Sequence, residues 1–290
     1  MEFHQYPTMF VSGVSIKVRD LERSLQFYQN VIGLRVLEKN MDKVMLTANG
    51  QSVLLSIEQP KNVVPKKGRT TGLYHFALLL PKRSDLANVV RHFIDSEVPF
   101  GSANHLVSEA LYLSDPDGNG IEIYADRDPS QWHWNNQMVD MTTDPLNIQN
   151  LLAENTQEKW KGLPTGTVMG HLHLQVSELE KTGRFYTEGL GFEVVNRYGN
   201  QALFISDNHY HHHIALNTWA GTGIPAPLPN STGLQSFVVM LPDEKARKKV
   251  VSRLRNIGAE VTEEGDTFRT YDPSGNCLYL NISHLNSENN

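Results

Sequence analysis

With 290 residues, 39% of them hydrophobic, the chain is long enough for one large domain or two ordinary ones. A net charge of −6 with no basic stripe argues against a nucleic-acid partner, and no apolar run approaches the about 18 residues of a membrane span. The first residues carry neither a basic nor an apolar leader segment, and the single cysteine, Cys277, cannot form an internal disulfide, so a cytoplasmic, membrane-free protein is expected.

Taken in order, the chain repeats itself. Gly13–Leu21 reads as a strand that runs through Asp20 into a helix carrying Phe27-Tyr28 and stopping near Gly33. Strands follow at Leu34–Lys39, Lys43–Thr47 and Ser52–Ile57. The same order returns 158 residues later: His171–Leu179, a helix with Phe185-Tyr186, Gly191, then strands at Phe192–Tyr198, Gln201–Ser206 and His211–Asn217. The second half of each long repeat also matches. Gly72–Pro81 parallels Gly233–Pro242, helices follow at Asp85–Ser96 and Asp243–Ile257, and each half closes on Asp-Pro-x-Gly-Asn (115–119 and 272–276) and one further strand. Proline, glycine and the Asx side chains make that pentapeptide a turn.

The chain therefore reads as an α+β protein of four βαβββ modules, at 10–60, 70–126, 168–220 and 232–283. Modules one and two make an N-terminal domain (1–126). A linker (127–166) carries Trp132, Trp134 and a short helix at Pro145–Ala153, and modules three and four make a C-terminal domain (167–290). A lone module leaves one sheet face bare, so modules must pair into open curved-sheet cups, and a site can sit inside such a cup. Glu122 is conspicuous between Ile121 and Ile123 on an apolar strand. Pointing inward, it is a carboxylate whose burial costs several kcal/mol unless it meets a cation or a metal; the plainer alternative is a solvent-facing residue on a half-buried strand.

The repeated strand–helix–Phe-Tyr–Gly pattern and the doubled turn resemble the vicinal oxygen chelate superfamily, which includes glyoxalase I, fosfomycin-resistance proteins and extradiol ring-cleavage dioxygenases. The resemblance implies metal ligands on the first strands of two partner modules and on the last strand of one. Those first-strand positions read Gly13, His75, His171 and Ser236, and the last-strand position reads Glu122 in module two but Tyr279 in module four. Modules two and three thus offer His75, Glu122 and His171, a two-histidine, one-carboxylate set of the kind that binds non-haem Fe(II). The sequence does not choose between modules two and three sharing a cup and a sequential pairing that assembles the site across a subunit interface.

Within the superfamily, Ala215 stands where glyoxalase I carries a second glutamate. His105, Leu111, Tyr112, Asp115, Pro116, Gly118 and Glu122 resemble the extradiol dioxygenase signature, from which only Ala103 departs. His212, three residues before Ala215, resembles the His-x-x-Ala acid/base histidine of those enzymes, with His211 and His213 as alternatives pointing to the opposite strand face. The resemblance implies an Fe(II)-dependent extradiol dioxygenase of the catechol 2,3-dioxygenase kind, with a small aromatic diol and O2 as substrates. His212 would move protons, His105 and Tyr112 would orient substrate oxygens, and the protein would be a homodimer. Mn(II) is an alternative metal. A glyoxalase-like lyase, isomerase or thiol transferase using Zn or Ni, or a non-catalytic sequestering protein, are the alternative functions.

Overall fold

The computed structural model describes residues 2–156 and 158–282; Met1, Gln157 and residues 283–290 lie outside them, and with them the last residue of the expected fourth module and its tail. In module one, alternating burial makes Phe10–Lys17 the strand β1. The Asp20 side chain accepts from Arg23 N at 3.0 Å and starts α1 (Leu21–Phe27). The helix then widens into a π-turn, Tyr28–Ile32, and Gly33 ends it at φ 89°. Strands β2 (Arg35–Lys39), β3 (Lys43–Thr47) and β4 (Leu55–Glu58) complete the module. The last begins three residues later than expected, because the Asn49 side chain accepts from Gln51 N and Ser52 N and holds residues 49–52 in a turn.

Module two consists of β5 (Gly72–Leu79), α2 (Arg83–Asp95), β6 (Gly101–Asn104), β7 (Ser108–Ser114) and β8 (Gly120–Asp126). The linker contains a small hairpin that the sequence pattern did not disclose, β9 (Trp134–Asn135) with β10 (Met138–Val139), and the expected helix, α3 (Ile148–Leu152). Module three is β11 (Val168–Gln175), α4 (Leu179–Arg184), a second π-turn (Phe185–Leu190) ended by Gly191 at φ 100°, then β12 (Glu193–Tyr198), β13 (Ala202–Ser206) and β14 (Ile214–Asn217). Module four is β15 (Gly233–Leu241), α5 (Glu244–Asn256), β16 (Val261–Glu264), β17 (Thr267–Tyr271) and β18 (Cys277–Ile282). Among the described residues no helix is long and apolar enough to cross a membrane.

The strands form two curved eight-stranded sheets. One runs β16-β17-β18-β15-β1-β4-β3-β2 and joins modules four and one; the other runs β12-β13-β14-β11-β5-β8-β7-β6 and joins modules three and two. Modules two and three thus share a cup within a single chain, and the N-terminal pair of modules and the C-terminal pair each supply one module to each sheet. Between the sheets lies one continuous core. Phe76, Leu78, Leu172 and Leu174 enter it from one side and Val14, Ile16, Phe237 and Val239 from the other, all at most 3% exposed. The opposite face of each sheet lines its cup.

The doubled sequence motif has a mechanical meaning. Tyr28, at the head of the first π-turn, donates to Asp115 Oδ2 of module two's Asp-Pro-x-Gly-Asn turn at 2.8 Å. Tyr186 donates to Asp272 Oδ2 of module four's turn at 3.0 Å. Each aspartate also accepts from its own turn, from Asn119 or Asn276. All four side chains are buried. Sheet pairing ties two to three and one to four, while these bonds tie one to two and three to four, so the four modules are cross-linked in a ring.

Candidate functional site

The ladder places the candidate ligands. β5 and β11, the first strands of their modules, run antiparallel down the centre of their sheet, with β8 parallel to β5. Ala77 is paired with Glu122 on one side and His171 on the other; His75 and His173 are paired two residues along. Even spacing puts these side chains on one face, and the small Ala77 leaves space between Glu122 and His171. His171 Nε2 and His75 Nε2 each lie 3.1 Å from Glu122 Oε2. All three residues are buried, at 1%, 7% and 2% exposure for His171, His75 and Glu122. The plain reading of Glu122 as a solvent-facing residue is therefore wrong. In the other sheet the same register positions carry Gly13, Ser236 and Tyr279, which offer no comparable set.

This donor set could hold a divalent metal. Its three ligand atoms lie within 4.8 Å of one another, and ligands at about 2.1 Å on one face of an octahedral ion stand about 3.0 Å apart. His171 Nε2 is aligned with the carboxylate, whereas His75 Nε2 is buried beside it without a hydrogen bond. The protonation states also fit. Burial disfavours the charge on Glu122, but His171 and His75 outweigh it and hold the carboxyl well below the usual range. Burial brings His171 down to about 4 against the opposing pull of Glu122. A carboxylate beside a neutral imidazole is the state that metal binding requires.

The remaining candidates surround this set. His105 Nδ1 donates to Thr142 O at 2.6 Å, which leaves Nε2 to accept from the Tyr112 hydroxyl at 2.5 Å. Tyr112 is the cross-strand neighbour of Glu122, and burial together with that carboxylate raises its phenol well above the ordinary value. His212 packs against His171 with the rings tilted by 45° and their centroids 4.1 Å apart; burial, then His171, hold it well below the usual imidazole value, so it is neutral near pH 7. All six expected residues are thus on or beside one cup face.

The expectation that His211 and His213 point away from His212 on a strand beginning at residue 211 fails. The strand starts only at Ile214, because Asn208 and His209 both adopt φ 55° and the chain turns before it pairs. His211 instead meets His212 directly, Nδ1 to Nδ1 at 2.8 Å. His213 donates through Nε2 to Phe3 O and accepts at Nδ1 from Asp207 N, a structural role. Ala215, buried, faces His173 across the β14–β11 pair.

Two residues at the site, His173 and Tyr74, were not singled out from the sequence. His173 is 4% exposed, its Nε2 has no partner, and its ring is 5.0 Å from that of His75. Its i, i+2 spacing from His171 was the available signal. Tyr74 and Trp219, both partly exposed, pack edge-on against it at 5.0 and 5.1 Å and form an aromatic rim. Trp132 is buried against Tyr210 and His211, and Trp134 sits further out against His209.

Comparison with known proteins agrees with this architecture. Residues 11–123 and 168–278 match the family described as the Glyoxalase/Bleomycin resistance protein/Dioxygenase superfamily. The chain is 46% identical over 266 residues to a catechol-2,3-dioxygenase of Bacillus subtilis (strain 168), covering 91% of this chain and 93% of that protein. It is 27% identical over 114 residues to biphenyl-2,3-diol 1,2-dioxygenase 3 of Rhodococcus globerulus, covering 38% and 60%. Among solved structures the fold is shared with a protein from Bacillus subtilis subsp. subtilis strain 168 (TM-score 0.64, 14% identity, 94% and 84% covered). It is shared too with glyoxalase I from Zea mays (TM-score 0.55, 15% identity, 97% and 94% covered). With two matched segments spanning both halves and a relative aligned over nearly its whole length, the chain belongs to the Glyoxalase/Bleomycin resistance protein/Dioxygenase superfamily.

Proposed function

We propose that this protein is an oxidoreductase, an extradiol dioxygenase that opens a catechol-type aromatic diol with O2, and that His75, His171 and Glu122 hold Fe(II). The observation that carries the reading is the buried two-histidine, one-carboxylate set with a neutral histidine, His212, packed against one of its members. The 46% identity to a protein named as a catechol-2,3-dioxygenase supports it. Bound iron would supply a Lewis acid that lowers the pKa of a chelated diol, and a centre through which O2 accepts electrons.

The protein's own groups then have defined work. Neutral His212 can take a proton from a diol hydroxyl and later return it. Tyr112, its hydroxyl donating to His105 and its strand paired with that of Glu122, is fixed to orient a substrate oxygen. His173, Tyr74 and Trp219 form an apolar and aromatic rim suited to a flat ring. Ala215 supplies no carboxylate where a glyoxalase I site would need one.

The test is direct. Protein loaded with Fe(II) under anaerobic conditions should turn catechol yellow on admission of air, as the ring opens beside the diol. His212→Ala should bind iron and lose most turnover. Full iron occupancy with no ring-opened product from any simple catechol would refute the assignment.

A further inference from the structure

The pair His211–His212 does more than fill a turn. Two imidazole nitrogens 2.8 Å apart share one proton, and which ring owns it decides what His212 can do. The far side of His211 settles the question. Its Nε2 lies 2.8 Å from Asp126 Oδ1, and a carboxylate only accepts, so His211 Nε2 carries a proton. With its proton on Nε2, His211 presents a lone pair at Nδ1, and His212 Nδ1–H is the donor. His212 is left with its lone pair on Nε2.

The surroundings hold this arrangement. His211 is fully buried, with the rings of Trp132, Tyr210 and Tyr124 around it at 5.2, 4.1 and 6.0 Å. Tyr210 also donates to Asp126 Oδ1, at 3.3 Å, and Tyr124 donates to Tyr210 at 2.6 Å. Asp126 ends β8, four residues beyond Glu122, and its side chain keeps 19% exposure. The chain of groups thus runs from the buried contact of His212 with His171 to a carboxylate in contact with water.

We propose that Asp126 and His211 are positioning residues that lock His212 into the Nδ1–H tautomer, with a basic Nε2, and link it to solvent. This rests on the ring-cleavage reading for its role in turnover, but not for the tautomer itself. In the step it serves, a diol O–H bond breaks, its electron pair stays on oxygen, and an N–H bond forms at His212 Nε2. The imidazolium charge is stabilised through His211 by the Asp126 carboxylate, and the same proton returns to product. No oxidant enters this step.

The experiment has two readouts. Long-range proton–nitrogen correlation spectra of the full-length, metal-free chain with 15N-histidine identify each tautomer. Expected are Nε2–H for His211 and Nδ1–H for His212. His211→Phe should move the His212 proton to Nε2 at least in part, and Asp126→Ala should do so more weakly; Asp126→Glu, which keeps an acceptor, should restore the original pattern. In iron-loaded protein, His211→Phe should lower kcat by about tenfold or more, with KM within about twofold and unchanged iron content. Nε2–H at His212 in the unaltered protein would overturn the proposal. So would undiminished kcat in both His211→Phe and Asp126→Ala. If the unaltered, iron-loaded protein cleaves no catechol, the functional reading fails while the spectra still decide the tautomer.

Discussion

Gly170, beside His171, is the residue on which the Tyr124 wall packed against His171 and His211 depends, and its replacement by alanine gives a measurable prediction. A Cβ at this position would stand 2.0 Å from Tyr124 Oη and 2.6 Å from Tyr124 Cε1 and Cζ. Tyr124 is fully buried, and its hydroxyl donates to Tyr210, which donates to Asp126. The ring cannot retreat without breaking that sequence. Overpacking costs about 1–3 kcal/mol, and a buried hydroxyl left without its partner a further 1–3 or so. Gly170→Ala should therefore destabilise the fold by about 2–6 kcal/mol, which lowers Tm by roughly 3–10 °C in a chain of this size. Calorimetry on the unaltered protein, Gly170→Ala, Tyr124→Phe and the double variant makes the test specific. Tyr124→Phe removes the closest atom but leaves the ring carbons in place, so it should relieve part of the Gly170→Ala cost, with a coupling of about 1 kcal/mol. A Tm for Gly170→Ala equal to that of the unaltered protein, or strict additivity in the double variant, would refute the reasoning.

Tyr28→Phe and Tyr186→Phe each leave a buried aspartate short of one donor and should cost about 1–2 kcal/mol in urea unfolding; because the two bonds join different module pairs, the costs should add. Binding of a metal to the native site alone adds about 2.7 kcal/mol at a hundredfold excess over Kd, so a chelator should lower Tm and added Fe(II) restore it. Glu122→Gln should lose that metal-dependent gain, and a Tm that still rises with metal in this variant would point to other ligands. His4, buried and donating to Gly170 O at 2.8 Å, has its pKa brought down by burial from 6.5 to about 4. Between those values the unfolded chain binds more protons than the native one, so the stability involved is complete above about pH 6.5 and is lost as pH falls towards 4, about 3 kcal/mol in all. His4→Gln can keep the donor and removes the titration, so its acid-unfolding midpoint should lie at lower pH; an unchanged midpoint would contradict the assignment.

How much of this was legible in the sequence follows from the range of the interactions. Strands with alternating burial, such as Phe10–Lys17, and helices with a cap and a terminal glycine, such as Leu21–Phe27 with Asp20 and Gly33, are set by neighbours in the chain and could be read directly. The resemblance to the superfamily placed His75, His171 and Glu122 at its ligand positions, and the pattern carries over because an even spacing along a strand keeps a residue on its face whatever sheet receives it. Which modules share a sheet was not legible: β5 meets β11 across a separation of about a hundred residues, and the local pattern of either strand suits both partners. The Asp126–His211–His212 sequence of bonds was hidden for another reason. Periodicity assumed a strand from residue 211, and two consecutive left-handed residues, Asn208 and His209, turned the chain first.

The two cups of one chain act as each other's control. Both keep the tyrosine-to-aspartate bond and the left-handed glycine after the π-turn, so these belong to the scaffold. At the ladder positions of His75, His171 and Glu122, however, the second sheet carries Ser236, Gly13 and Tyr279 and closes its register without a buried charge. The fold can therefore be built without the three polar groups. Burying a carboxylate and two imidazoles disfavours folding unless something compensates, and within the cup the compensation from protein groups is incomplete, since His75 Nε2 and His171 Nδ1 have no hydrogen-bond partner. A requirement absent from one half of a duplicated scaffold and present, at a cost in stability, in the other is the mark of a site selected for chemistry.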